Sequence, residues 1–119
     1  MEEVVQRINQ TIERLKNADN LFPPEASRLR IELVSMLAII NVEVAIAEAN
    51  FKKIRLACRG MESMKSAIDA KIYAEAQPEA KNWLEKKAWQ QTTLELIRSL
   101  RDFTRTLEQE RLLTPKGEL

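Results

Sequence analysis

The chain contains no histidine among its 119 residues, and it has only two glycines and one cysteine. Without histidine there is no imidazole to act as a general base near neutral pH, and no imidazole ligand for a zinc ion. Two glycines are too few for the glycine-rich loops that cradle phosphate groups in nucleotide-binding enzymes. The lone Cys58 excludes an internal disulfide, which fits a reducing compartment. We therefore expect a protein that is not an enzyme and that binds no cofactor, metal or small-molecule substrate.

Aromatic residues are also scarce, at 5% of the sequence, and β-branched residues do not alternate with polar ones as they would in strands. Hydrophobic residues make up 45% and charged residues 31%, with Ala, Leu, Glu, Lys and Arg prominent. This composition is typical of long helices. We predict an all-α fold that forms a single helical domain over residues 1–119.

Long apolar runs and an excess of one charge are absent as well. No segment approaches the roughly 18 uninterrupted apolar residues of a membrane-spanning helix, and no basic region followed by an apolar core opens the chain. We expect a cytoplasmic protein that does not engage a membrane. The 19 basic and 18 acidic residues leave a net charge of +1, so a site for an anion has to be a local patch.

Apolar residues recur at helical spacing along most of the chain. This spacing predicts a short N-terminal helix over residues 2–17, and the adjacent Pro23 and Pro24 prevent its continuation. A long heptad helix follows over residues 25–59, in which steps of four and three residues alternate without a miss. Such regularity over about four repeats is typical of coiled-coil packing, so we predict that this face is the seam of a homo-oligomer. The predicted oligomer seam comprises Leu33, Leu37, Ile40, Val44, Ala47, Phe51, Ile54 and Cys58.

A second set of apolar residues follows the same rhythm on another flank of the long helix. A helix with two apolar seams contacts at least two other helices, because a two-stranded dimer would leave one seam in water. We therefore predict a bundle or a higher oligomer. Its stoichiometry stays open, because several apolar residue types are mixed across the seam positions. The second set comprises Ile39, Val42, Ile46, Ala49 and Leu56.

The second half of the chain is predicted to form a return arm over residues 61–112. Gly60 precedes this arm and either interrupts the long helix or ends it through a left-handed cap. Pro78 marks a break or kink, because proline disfavours a helical conformation of the residue before it. It could equally be the first residue of the last helix, which is expected over about 79–112. The simplest arrangement is a long helical hairpin with coiled-coil-like packing, against which the short N-terminal helix packs. Residues 114–119 are expected to fray.

The long helix carries a basic stripe near its C-terminal end. Lys52, Arg55 and Arg59 stand at i, i+3 and i+7 and therefore share one face, with Lys53 to one side. Such a stripe is either a solvated, salt-bridging surface or a site for an anion. Glu48 can pair with Lys52 at i, i+4, but no other acid lies close in sequence. These four basic residues are therefore our candidates for binding nucleic acid.

A possible second basic stripe lies on the return arm. Arg98, Arg101 and Arg105 repeat the same spacing, and Asp102 lies beside them. Trp83 and Trp89 belong to the same arm. Tryptophans can stack on exposed bases, but they more often anchor cores or interfaces.

These features resemble the recombination mediators of the UvsY type found in tailed phages. In that family a heptad helix leads into a Lys-x-Arg-Leu motif, a glycine-containing turn and a long return helix with aromatic residues. The tetrapeptide Lys53-Ile54-Arg55-Leu56 is similar to the motif, Gly60 to the turn, and residues 83–107 to the return helix. The resemblance covers roughly residues 33–110.

The resemblance implies a ring-forming protein that binds single-stranded DNA in the host cytoplasm, with Lys53 and Arg55 contacting the DNA. Such a protein helps a RecA-like recombinase displace single-strand-binding protein. The alternative is a helical adaptor or inhibitor, encoded by a phage or mobile element, that presents an amphipathic helix to a protein groove. In that case Trp83 or Trp89 would be an anchor. A purely structural oligomer is a third possibility.

Overall fold

The computed structural model describes residues 1–17, 21–61 and 66–113, the last four of them by their backbone alone. Within these residues the chain forms α-helices and no β-strand, which confirms the predicted all-α fold. None of the described helices is long and apolar enough to cross a membrane. The expected fraying of residues 114–119 lies outside the described residues. The helices are α1 (Glu2–Lys16), α2 (Pro23–Arg59), α3 (Ala67–Glu75) and α4 (Pro78–Leu113).

Proline and acidic residues determine where these helices begin. α2 and α4 each open with a proline, whose missing N–H would have no partner in the first turn anyway. Glu25 and Glu79 lie in the first turns of α2 and α4, where a negative charge suits the helix dipole. Ser66 caps α3, because its side-chain oxygen accepts a hydrogen bond from the backbone N–H of Asp69 at 3.2 Å.

The return arm over residues 61–112 is interrupted at the break predicted near Pro78, because α3 ends at Glu75 and α4 begins at Pro78. The break falls where Pro78 restricts the residue before it. At the end of α2, the backbone N–H of Gly60 donates to the carbonyl oxygens of Leu56 and Ala57, at 3.3 and 3.2 Å. Gly60 does not have a positive φ, so the alternative of a left-handed cap is wrong.

The chain divides into two compact units, which are described separately. Unit 1 comprises Met1–Leu37 and Thr92–Leu119, and unit 2 comprises Ala38–Gln91. In unit 1, the Arg14 guanidinium of α1 binds the Glu25 carboxylate of α2 through two hydrogen bonds, of 2.7 and 2.8 Å. The core side chains of unit 1 include Val4, Ile8, Leu21, Ala26, Leu29, Leu33, Met36 and Leu100.

In unit 2, parts of α2 and α4 run antiparallel to each other. Glu43 of α2 pairs with Lys86 of α4, whereas Phe51, further along α2, stacks on Trp83, which lies earlier in α4. Small side chains of α3 complete the core of this unit. That core consists of Phe51, Cys58, Ala70, Ala74 and Ala80, with the partly buried Ile54 and Trp83 packed against it.

The two apolar sets of α2 have different surroundings. Of the predicted oligomer seam, Leu37 and Ile54 are half-buried and the other six residues are buried within the single chain. Side chains that their own chain covers offer little surface to a second copy. All five members of the second set are exposed, as are Ile31 and Val34 nearer the start of α2.

Candidate nucleic-acid interface

The first basic stripe lies at the C-terminal end of α2, in unit 2. Lys52, Lys53 and Arg59 are exposed and Arg55 is half-buried. Because α2 stays helical to Arg59, the predicted i, i+3, i+7 alignment of Lys52, Arg55 and Arg59 is present in the structure. The helix dipole is negative at this end and favours basic side chains here.

Arg55 is held in place by an aromatic pair. Its guanidinium carbon lies 5.7 Å from the centre of the Phe51 ring. Phe51 in turn stacks on Trp83, with ring centroids 5.2 Å apart and planes 21° from parallel. A cation over an aromatic face is attracted by the ring's quadrupole, so the stack positions the guanidinium at the surface of unit 2.

Two hollows adjoin Arg55 and Arg59. The first has a volume of about 190 Å³ and is lined by both arginines together with Lys71 and the apolar Ala67, Ile68 and Ala70 of α3. The second, also of about 190 Å³, is lined by Lys52, Arg55, Leu56 and Arg59 of α2. Sequence reasoning missed Lys71, because only the packing of α3 beside α2 brings it to the arginines. We call Lys52, Arg55, Arg59 and Lys71 the basic cluster.

The structure separates Lys53 from the basic cluster. Residues two apart on a helix point about 200° away from each other, so Lys53 and Arg55 lie on opposite sides of α2. Lys53 lines neither of the two hollows. A single strand that contacts Arg55 is therefore not positioned to contact Lys53 of the same copy.

The basic cluster has little acidic compensation. Lys52 forms an exposed ion pair with Glu48, with 3.5 Å between Nζ and Oε1. Arg55, Arg59 and Lys71 form no ion pair with any residue in the described part of the chain. Glu43 is engaged elsewhere, because the Lys86 ammonium donates to its Oε2 at 2.9 Å and lowers the pKa of the Glu43 carboxyl. Among the described residues, the cluster therefore combines three cations that form no ion pair with exposed apolar side chains.

The second basic stripe lies on α4 in unit 1. Arg98, Arg101 and Arg105 are all exposed, and Arg101 Nε lies 3.6 Å from Asp102 Oδ1. No described hollow brings a residue of another helix to this stripe. It is therefore a weaker candidate for binding than the basic cluster.

In the described part of the chain, both tryptophan side chains are at least partly covered by neighbouring residues. Trp83 stacks on Phe51 and carries the Lys87 ammonium 4.5 Å from its ring centre, and Trp89 is half-buried. Neither is an exposed platform for a base.

The arrangement is suited to binding anions. Among the described residues, no three His, Cys, Asp or Glu residues come together as a metal site would require. Cys58 is buried in the core of unit 2, so its thiol is not presented to a substrate. No family model, curated protein or solved structure matches this chain.

Proposed function

We propose that this protein is a non-catalytic homo-oligomer that binds single-stranded DNA through the basic cluster. The observation that carries the proposal is the convergence of Arg55 and Arg59 of α2 with Lys71 of α3 around one hollow. Convergence of cations from two helices, with no compensating acid among the described residues, is unusual for a solvated salt-bridging face, which would intersperse both signs. Phosphate groups are the ligands that such a cluster suits best.

Single strands fit the cluster better than duplexes. The exposed Ile68 lies among the cations that line the first hollow. A single strand offers phosphates to the cations and unstacked bases to the apolar side chains, whereas a duplex keeps its base faces stacked. Binding of this kind is largely independent of sequence and falls steeply with salt.

The wider role we propose is that of a recombination mediator, as the resemblance to the UvsY type implies. The protein would then act in the cytoplasm of a phage host, beside a recombinase and a single-strand-binding protein. The described residues support the DNA-binding part of this role through the basic cluster. They support the oligomeric part through the exposed second apolar set on α2.

The DNA-binding proposal is tested by fluorescence anisotropy of a labelled oligothymidine at low salt. The double variant Arg55→Ala/Arg59→Ala should lose most of the binding. A matched control, Lys16→Ala/Lys81→Ala, removes the same charge from exposed positions outside the cluster and should bind almost as tightly as the wild type. No binding by the wild type, or equal losses in the two double variants, would refute the proposal.

A helical adaptor that binds another protein is the second candidate. It is favoured by the same exposed apolar set on α2, which would suit a hydrophobic groove. Trp83 is not its anchor, because that side chain is stacked on Phe51 within unit 2. Recovery of one stoichiometric protein partner that persists after nuclease treatment, together with no affinity for oligothymidine, would favour this candidate.

A further inference from the structure

An exposed apolar face runs along the part of α2 that belongs to unit 2. Ile39, Val42, Ile46 and Leu56 are 50%, 60%, 52% and 67% exposed, and Ala49 between them is exposed as well. Lys53 occupies the one position at which the alternation of three and four residues would call for a further apolar side chain. We call these six residues the α2 stripe. An exposed apolar face of this kind marks an interaction site.

Charge is distributed unevenly along the same part of α2. Between residues 38 and 48 the charged residues are Glu43 and Glu48, both acidic. Between residues 49 and 60 they are Lys52, Lys53, Arg55 and Arg59, all basic. Two copies that paired in parallel would set Lys53 against Lys53, whereas antiparallel copies set the basic end of one against the acidic end of the other. Charge complementarity therefore favours a second copy in antiparallel orientation.

The spacing of the α2 stripe also selects a register. In one antiparallel alignment all six positions find a partner, with Ile39 opposite Leu56, Val42 opposite Lys53, and Ile46 opposite Ala49. Shifting this alignment by one heptad in either direction leaves some of these residues unpaired. In the full alignment, Lys53 lies opposite Val42 of the other copy, where its aliphatic stem covers apolar surface while its ammonium group reaches water.

We propose that two copies of this chain pair antiparallel through the α2 stripe, about a two-fold axis between Ile46 and Ala49. This inference rests on the homo-oligomer of the proposed function. It specifies which face of α2 forms the contact, how the two copies are oriented and which residues lie opposite each other. The contact is isologous, so it closes after two copies and does not by itself generate a ring. From the helical rise, Arg55 and its counterpart lie roughly 20 Å apart along the helix axis. One single strand can then reach both basic clusters.

The first measurement is the molar mass by light scattering. The wild type should have twice the chain mass of 13.8 kDa, and Ile46→Asp should return to the chain mass. Leu84→Asp is the matched control, because Leu84 is 58% exposed in unit 2 but lies on α4, outside the α2 stripe; it should stay dimeric. A monomeric wild type, or equal effects of the two substitutions, would overturn the pairing.

The second measurement tests orientation with near-native variants. Ile39→Cys and Leu56→Cys are prepared separately in a Cys58→Ala background and treated with a short bismaleimide, alone and mixed. Antiparallel pairing predicts cross-linked dimers in the mixture and almost none with either variant alone. Cross-linking of each variant alone shows a parallel pair and overturns the orientation. No cross-linking in any sample overturns the contact.

These outcomes separate the pairing from DNA binding. Arg55→Ala/Arg59→Ala should remain dimeric while losing affinity for oligothymidine. If the wild type binds oligothymidine but is monomeric, the pairing fails and the DNA-binding proposal survives. If the wild type is dimeric but does not bind oligothymidine, the DNA-binding proposal fails and the pairing survives.

Discussion

At the scale of single residues, the stack of Phe51 on Trp83 connects the core of unit 2 to its basic surface. The same Phe51 ring lies beneath the Arg55 guanidinium, so a core contact helps to position a candidate DNA ligand. The Trp83 ring nitrogen is buried and has no hydrogen-bond partner among the described residues. Because a buried donor without a partner destabilises a fold, the stacking surface of Trp83 has to outweigh the unsatisfied N–H.

Substitutions of Trp83 should separate these two effects. Trp83→Ala removes the stack and should lower the free energy of unfolding by about 3 kcal/mol, at the low end for a large aromatic because the side chain is only partly buried. Trp83→Phe keeps a stacked ring and removes the unpartnered N–H, so it should cost less than about 1.5 kcal/mol. Urea denaturation measures both. Equal losses in the two variants would contradict a dominant role for the stack.

The ion pair between Arg14 and Glu25 should make unit 1 sensitive to acid. The hydrogen bonds from Arg14 lower the pKa of the Glu25 carboxyl below its ordinary value of 4.5. A carboxylate whose pKa is lowered on folding contributes stability above its unfolded pKa and loses that contribution as the pH falls through the folded pKa. Glu25→Gln should therefore be less stable than the wild type at pH 7, and the difference should vanish below the folded pKa.

Unfolding midpoints followed from neutral to acid pH check this expectation. Glu32→Gln is the control, because Glu32 pairs with Arg28 on the exposed surface of the same helix, at 3.2 Å. An exposed ion pair of this kind contributes little to the free energy of unfolding, so the unfolding midpoints of Glu32→Gln should follow those of the wild type at each pH. A Glu25→Gln variant whose deficit persisted unchanged in acid would show that the ion pair is not its cause.

At the scale of secondary-structure elements, the C-terminal half of α2 has three distinct surfaces. One is buried in the core, the α2 stripe lies nearly opposite, and the basic cluster occupies the side between them. The tetrapeptide Lys53-Ile54-Arg55-Leu56, which resembles the Lys-x-Arg-Leu motif, spans two of these surfaces. Lys53 belongs to the α2 stripe, whereas Arg55 belongs to the basic cluster. Contact roles that the resemblance assigns to both residues are thus divided by helix geometry.

This division predicts unequal effects of two alanine substitutions. A plot of the logarithm of the oligothymidine-binding constant against the logarithm of the salt concentration has a negative slope. Arg55→Ala should reduce the magnitude of this slope by about 0.7, the value for one lost phosphate contact on a single strand. Lys53→Ala should leave the slope nearly unchanged. Anisotropy titrations at several salt concentrations measure both slopes. Equal reductions would mean that both side chains contact the strand and would contradict the assignment of Lys53 to the α2 stripe.

Gly60 ends α2 without needing the conformational freedom of glycine. Its φ is not positive, and an added Cβ would lie 3.6 Å from the Ala57 carbonyl oxygen, an ordinary contact distance. Gly60→Ala should therefore raise the free energy of unfolding by about 0.5 kcal/mol, because alanine restricts the unfolded chain. Thermal unfolding of the variant checks this expectation. A loss of stability would show that the end of α2 needs a glycine.

The helices and their starts were predictable from local signals, whereas the partners of each face were not. Apolar periodicity and the positions of Pro23 and Pro78 place α1, α2 and α4 to within a few residues. Periodicity defines two apolar faces on α2 but does not say which of them the chain itself covers. It is the structure that shows Ile40 and Phe51 buried and Ile46 exposed. Lys71 lies beside Arg55 and Arg59 only because α3 packs against α2, and the spacing of these residues in the sequence does not predict that packing.

At the scale of the whole molecule, a net charge of +1 conceals strong local segregation. Acids precede bases along the part of α2 that carries the α2 stripe, and the basic cluster lies beside this stripe. In our account, antiparallel pairing covers the apolar stripe and leaves two basic clusters exposed for one strand. Self-association is driven by apolar burial and should persist in salt, whereas DNA binding should not.

The most direct measurement of this account is the molar mass by light scattering, with and without oligothymidine. We predict a mass of twice 13.8 kDa for the protein alone, and a heavier species containing protein and oligonucleotide at low salt. High salt should release the oligonucleotide and leave the dimer intact. A species with the mass of a single chain, unchanged by oligothymidine, would contradict the account.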